Sequence, residues 1–298
     1  MNILIIGLGK IGNLLAYELV KDHSCNVFLY GRNYSKTKGI ATDLREINAQ
    51  FNVIALESLE HLPKIDLTIF SFSIMIWRPD IGANDRIIEA NNNLKIIDSI
   101  ATQTDLKQLG VIIIVSNPVD LLTQYCSEKY KVEKVYGFGN SLDELRVSNT
   151  LIKGPYNYQG DEVVCIGEHG SSIVPILSKA LRGFINEPSV YSNVKSEIFE
   201  RTVEVIHLVS IPFYSPVYCL FDLLRSIINK ETKTVRLSKY LEKEYLGIKG
   251  ISIGVPLKMI NGRLDEPLEI NVSDYEAKLF VESAKQIEIV YNKIVHLK

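Results

Sequence analysis

Apolar residues in the first half of the chain come in short unbroken runs rather than in alternation. MNILII at 1–6, CNVFLY at 25–30, IDLTIFSFS at 65–73 and GVIIIVSNP at 110–118 each have the length and continuity of a strand buried on both faces. Between the first two, NLLAYELVKDH at 13–23 places Leu14, Leu15, Tyr17, Leu19 and Val20 at helical spacing. Strand and helix alternating in this way predict an α/β fold built on a parallel, doubly wound sheet with right-handed crossovers. From about Asp143 the texture changes to longer amphipathic helices, at 194–208 and 273–295, with a hairpin-like pair across 250–270 that turns at Asn261 and Gly262. The expected division is therefore residues 1–142 and residues 143–298. No repeat, low-complexity tract or flexible linker separates them, so the two halves are expected to pack closely.

Composition narrows the function classes. Lys plus Arg at 33 against Asp plus Glu at 35 over 298 residues leaves no electrostatic footprint for nucleic acid or an acidic membrane surface. Cys25, Cys126, Cys165 and Cys219 are scattered without paired spacing, which suggests neither a disulfide framework nor a bound metal and favours a reducing compartment. The opening apolar run has no basic stretch before it, and no run reaches the length of a membrane span. A cytoplasmic protein is the expectation.

The first candidate site follows the first strand. In GLGKIG, Gly7 permits a tight turn, Gly9 lets backbone approach a pyrophosphate, and Gly12 allows close packing of helix on strand. Lys10 and Ile11 complete the stretch, with the phosphates expected at the helix N-terminus. Alone the motif is weak; directly after a strand and before a helix it has the context that dinucleotide binding requires. At the end of the second strand, where a carboxylate would accept the ribose hydroxyls of NAD, the chain reads Leu29-Tyr30-Gly31-Arg32-Asn33. Arg32, with Ser35, Lys36 and Lys38 nearby, offers charge-assisted bonds to a 2′-phosphate. NAD(P) is therefore the expected cofactor, leaning to NADP, and the alternative is that these are solvated loop charges.

Three further stretches, in order, carry a resemblance. VSNPVDLLT at 115–123, GFGNSLDELRVSN at 137–149 and GEHG at 167–170 resemble the strand end, helix start and loop of the lactate and malate dehydrogenase family, over essentially the whole chain. The resemblance implies an N-terminal Rossmann domain and a C-terminal α+β substrate domain. It implies that His169 is the general acid-base, that Asp143 orients it, that Arg146 grips a substrate carboxylate, and that Asn117 contacts the reacting oxygen and the nicotinamide region. It also implies a homodimer or homotetramer. Histidine suits proton transfer because its pKa lies near the working pH.

The loop from Ser73 to Leu94 departs from the family pattern. Arg86 fits the arginine that closes over the substrate and polarises its carbonyl. The usual Pro-Gly pair is missing upstream, and the segment runs through Trp77, Arg78, Pro79 and Asp80. A loop of this kind is more similar to the L-2-hydroxyisocaproate dehydrogenase branch, which implies a roomier pocket. Arg78 either meets solvent or binds the second carboxylate of a dicarboxylate, as in malate enzymes. A further departure lies at 207–218, where Pro212 and Pro216 are expected to break or kink a pocket-lining helix. The resemblance thus implies an L-2-hydroxy-acid dehydrogenase acting with NAD(P)H. The alternatives are a malate dehydrogenase using Arg78 and a catalytically weak dinucleotide-binding paralogue.

Overall fold

The computed structural model describes residues 1–22, 25–47, 52–74, 83–181 and 187–295. The N-terminal half alternates strand and helix: β1 (Asn2–Ile6), α1 (Lys10–Asp22), β2 (Asn26–Tyr30), α2 (Tyr34–Ile47), β3 (Val53–Leu56), β4 (Leu67–Phe70), α3 (Ala83–Ala101), β5 (Val111–Ile114), α4 (Val119–Tyr130) and β6 (Val135–Gly137). There follow α5 (Asn140–Lys153), β7 (Cys165–Ile166), β8 (Val174–Pro175), α6 (Leu177–Ala180), α7 (Pro188–Val209), α8 (Tyr214–Ile228), β9 (Lys233–Tyr240), β10 (Ser252–Ile260), β11 (Arg263–Pro267) and α9 (Asp274–Val295).

Among the described residues, nine strands form one sheet in the order β11-β10-β9-β6-β5-β4-β1-β2-β3. Strands β1 to β6 pair in parallel. Their order reverses between β1 and β4, the switch point where a crevice opens outside the carboxyl ends of the strands. The unbroken apolar runs account for the burial: Ile3, Leu4 and Ile5 of β1 and Leu67, Ile69 and Phe70 of β4 are essentially without solvent contact, because helices cover both faces.

The C-terminal half extends the same sheet. Gly137 of β6 pairs antiparallel with Ser238 of β9, and β9, β10 and β11 run antiparallel. The hairpin turns where expected, with Asn261 at φ 51° and Gly262 at φ 73°, the two positive values that an Asn-Gly turn supplies. The strand β9 is an addition to the predicted elements. Its sequence KTVRLSKY sets buried Val235 and Leu237 between charged positions, so it offers no apolar run.

The helices α7 and α8 meet at a break bent by 109°. Ser210 stands there at φ 78°, and Pro212 follows in the connection. Pro216 makes no kink, contrary to expectation. It lies in the first turn of α8, where its missing N–H is one that no helical carbonyl would have received. No single described helix is long and apolar enough to cross a membrane, although the bent pair α7 and α8 passes by length and composition taken together.

Candidate active site

The glycine-rich turn sits at the switch point. Gly7 holds φ +104°, and a Cβ there would fall 2.5 Å from the Phe72 amide nitrogen, so the turn admits no side chain. A Cβ on Gly12 would meet the Gly7 carbonyl oxygen at 2.0 Å, which is the close helix-to-strand packing the sequence called for. Gly9 is different. Nothing lies within 4 Å of its Cβ position, and the space opens beside the first turn of α1, whose leading N–H groups have no helical partner. These features fit the pyrophosphate of a dinucleotide. The Ile11 backbone belongs to the same first turn. The Lys10 side chain turns elsewhere, donating from Nζ to the Val209 carbonyl at 2.7 Å and lying 5.2 Å from the Phe213 ring centre; it ties the glycine turn to the break between α7 and α8.

At the end of β2, a Cβ on Gly31 would crowd the Thr37 hydroxyl at 2.8 Å. The Asn33 Oδ1 accepts from the Lys36 amide at 2.9 Å, starting α2. Arg32 is exposed, and among the described residues its guanidinium has no ion pair. No carboxylate replaces the missing acidic residue in this turn.

Three distant segments converge beyond the glycine turn. Asn117 ends the β5 connection, joined to Pro118 by a cis peptide, and its carbonyl accepts from the buried Asn93 Nδ2 at 2.7 Å. One short step on, Asp120 in the first turn of α4 accepts the His169 main-chain N–H at 2.9 Å. From α5, Asp143 Oδ2 faces His169 Nδ1 at 2.8 Å, and Asp143 Oδ1 stands 3.7 Å from the Arg146 guanidinium. The spacing explains the last pair: residues three apart on a helix share a face. The side chains of His169, Asp143 and Arg146 are 16%, 6% and 22% exposed, so the group is sheltered but reachable.

Glycines and a short bridge fix the histidine loop. Gly167 exchanges both main-chain bonds with Gly254 of β10, at 3.0 and 3.1 Å. Asn140 Nδ2 donates to the Gly167 carbonyl at 3.0 Å. Ser283 Oγ from α9 receives the Glu168 N–H at 2.8 Å. Gly139 packs on the imidazole itself, since a Cβ there would lie 2.2 Å from His169 Cγ. None of Asp120, Gly139, Asn140 or Gly254 was singled out from the sequence. Asp120 stood inside the quoted NPVD motif, and Gly139 inside GFGN, but only the fold shows what they touch.

The electrostatics follow from burial and these contacts. Burial disfavours a charged His169, yet the Asp143 carboxylate, by its charge and its hydrogen bond, outweighs it and holds the imidazole above its usual value. Accepting at Nδ1, Asp143 leaves Nε2 as the nitrogen free to exchange a proton, and among the described residues Nε2 has no partner. Burial lowers the Arg146 guanidinium while Asp143 supports it; an arginine stays charged under such a shift. Arg201 of α7 donates to Thr150 Oγ1 and to the Arg146 carbonyl, anchoring α7 against α5. Cys219 of α8 lies near Arg146, and burial pushes its thiol up to about 11. The α7 and α8 pair thus forms the wall beside Arg146. Arg78 falls outside the described residues, and Arg86 lies in the first turn of α3 with its side chain outside them.

An imidazole poised between a carboxylate and an open face, next to a sheltered guanidinium and a dinucleotide-type glycine turn, defines an α/β protein equipped for proton exchange on an anionic small molecule. Residues 1–138 match the family model described as lactate/malate dehydrogenase, NAD binding domain. The chain is 30% identical to malate dehydrogenase of Methanococcus maripaludis, covering 97% of each chain. It is 27% identical to L-2-hydroxycarboxylate dehydrogenase (NAD(P)(+)) of Methanocaldococcus jannaschii over the full length of both, and 29% to an L-lactate dehydrogenase of Lactococcus lactis, covering 98% of each. Malate dehydrogenase from Archaeoglobus fulgidus, solved in complex with NADH, shares the fold with a TM-score of 0.83 at 21% identity, covering 99% of each chain. This protein belongs to the lactate/malate dehydrogenase family.

Proposed function

We propose that the protein is an L-2-hydroxy-acid dehydrogenase that reduces a 2-oxo acid with NAD(P)H. The observation that carries this reading is the 2.8 Å contact of His169 Nδ1 with Asp143 on the same helix as Arg146. Residues 1–142 hold the cofactor, through Gly7, Gly9, Gly12, the backbone of Lys10 and Ile11, and Gly31 with Arg32; residues 143–298 supply the acid-base pair. The dinucleotide supplies the hydride. Arg146 binds the substrate carboxylate with its planar fork, protonated His169 gives its Nε2 proton to the carbonyl oxygen, and Asp143 stabilises the imidazolium beforehand. Asn117 contacts the reacting oxygen, and Arg86 polarises it.

The exposed Arg32 and the absence of a carboxylate beside it support a preference for NADP. The malate-type alternative rests on Arg78 and on the 30% identity to a malate dehydrogenase. On α7 and α8, Phe199, Leu208, Tyr214 and Tyr218 are each more than 60% exposed, an apolar surface that supports self-association as a homodimer or homotetramer. Four free cysteines suit the cytoplasm.

The test is oxidation of NADPH and, separately, NADH by the purified protein with pyruvate, 2-oxoisocaproate, phenylpyruvate and oxaloacetate. Turnover of the bulky monocarboxylates with NADPH supports the proposal. Preference for oxaloacetate establishes the malate-type alternative, and absence of turnover on all four rejects both.

A further inference from the structure

His169 is held by two carboxylates, and only one of them touches its ring. Asp143 bonds the imidazole from α5, whereas Asp120 bonds the main chain of the same residue from α4. Asp120 is 3% exposed. Its second oxygen, Oδ1, is fully buried and has no hydrogen-bond partner among the described residues. The Ser238 hydroxyl of β9 lies beside it, itself buried without a partner of normal geometry. A main-chain clamp needs only a neutral acceptor, and an acid buried with one oxygen lacking a donor is a costly way to provide one. The clamp alone therefore does not explain why an acid, and not a neutral acceptor, stands at this position.

We propose that Asp120 is a positioning residue for the proton-transfer step: ionised, it fixes the main chain of His169 and adds a second negative charge behind its imidazole. The two residues favour each other's charged forms, and Asp120 is one of the groups that raise His169. Burial pushes the Asp120 carboxyl up to about 7; the Ser238 hydroxyl and the His169 amide and ring draw it down, and the charge of Glu168 draws it up. Where Asp120 is ionised, its carboxylate and the His169 imidazolium stabilise one another, so protonating the one or deprotonating the other weakens both. The other charged groups that face this pair are Asp143 and Arg146 from α5 and Glu168 from the histidine loop. From the sheet, β9 contributes the uncharged Ser238 and β10 the Gly254 backbone.

The inference rests on the role proposed for His169, but its primary readout does not require turnover. The nitrogen-15 signals of the His169 ring are titrated in the full-length protein, in Asp120→Asn and in Ser238→Ala, with His169→Gln used for assignment. Asparagine keeps the shape and the acceptor of the clamp and removes the charge; Ser238→Ala leaves the clamp alone and weakens the ionised carboxyl. The His169 midpoint is expected to fall by about half a pH unit or more in Asp120→Asn, and in the same direction by less in Ser238→Ala. In 2-oxo-acid reduction, kcat of Asp120→Asn is expected to fall about tenfold with KM within about twofold of the parent. An unchanged midpoint in Ser238→Ala, and in Asp120→Asn if that variant folds, overturns the proposal. A shifted midpoint in a protein inactive on every 2-oxo acid upholds it and rejects the dehydrogenase reading instead.

Discussion

The ring of His169 and the carboxylate of Asp143 lie 2.8 Å apart although 26 residues separate them in the chain. The contact exists because α5 starts at the end of β6 while the histidine loop is pinned to β10 through Gly167 and Gly254. It fixes the imidazole with one nitrogen committed and the other open.

That contact sets the direction of the pH response. In the proposed mechanism, reduction of a 2-oxo acid needs protonated His169, so kcat/KM for reduction is expected to be level at low pH and to fall as pH rises through the raised His169 value; oxidation of the hydroxy acid is expected to rise over the same range. In Asp143→Asn the carboxylate that outweighs burial is gone. The falling limb for reduction should move to lower pH, and kcat should drop by about 10²-fold. Steady-state rates across pH 5 to 10, a range on the order of five units about the histidine value, check both.

The glycines of the first turn separate packing from binding. Gly12→Ala places a Cβ 2.0 Å from the Gly7 oxygen, and its melting temperature should fall with a loss of about 1–3 kcal/mol of stability. Gly9→Ala meets nothing within 4 Å and should melt with the parent, while its affinity for the dinucleotide drops about tenfold if the pyrophosphate approaches there. Thermal melts and cofactor titration of the two variants distinguish the roles.

The proposed preference for NADP rests on Arg32. Removing an exposed guanidinium that bonds a 2′-phosphate costs about 1.5–3 kcal/mol for that ligand alone. Arg32→Ala is expected to raise KM for NADPH about tenfold or more and to leave KM for NADH within about twofold. Equal changes for both cofactors would show that Arg32 does not recognise the phosphate.

Glu276 carries stability rather than chemistry. Fully buried in α9, its carboxylate accepts from the Ser178 amide and hydroxyl, from the Ser273 amide and hydroxyl, and from the Tyr191 hydroxyl at 2.8 Å. Burial alone would raise it, but these donors, Ser178 foremost, hold it below the usual glutamate range. A depressed carboxyl stabilises above its unfolded pKa of about 4.3 and loses that contribution as pH falls through the lower folded value. Glu276→Ala, which strands several donors, should cost about 2–4 kcal/mol at neutral pH. The deficit should shrink in urea melts taken at progressively more acidic pH.

Most of the parallel sheet was legible because a strand buried on both faces must be apolar throughout, and Ile3 to Ile6 and Val111 to Ile114 are. The strand β9 was not, because one face of it meets charged partners: Arg236 pairs with Glu144 at 2.9 Å, and such a residue reads as surface. His169, Asp143 and Arg146 were legible as motifs, while their contact was not, since nothing local to any of them encodes a 26-residue closure. Asp120 was hidden for a further reason. An aspartate in the first turn of a helix is ordinary on helix-dipole grounds, and only the burial of its carboxylate against His169 marks it out. Pro216 shows the reverse error, where a helix-breaking residue falls in the one turn that tolerates it.

The most direct measurement compares the parent with His169→Gln in NADPH-dependent and NADH-dependent reduction of 2-oxoisocaproate and oxaloacetate, with dinucleotide binding measured on both proteins. Turnover by the parent and a fall of about 10²-fold or more in the variant, with binding retained, is the result that the proton-donor role requires. Equal turnover by the two proteins, or a parent that binds the dinucleotide and reduces neither acid, would contradict it.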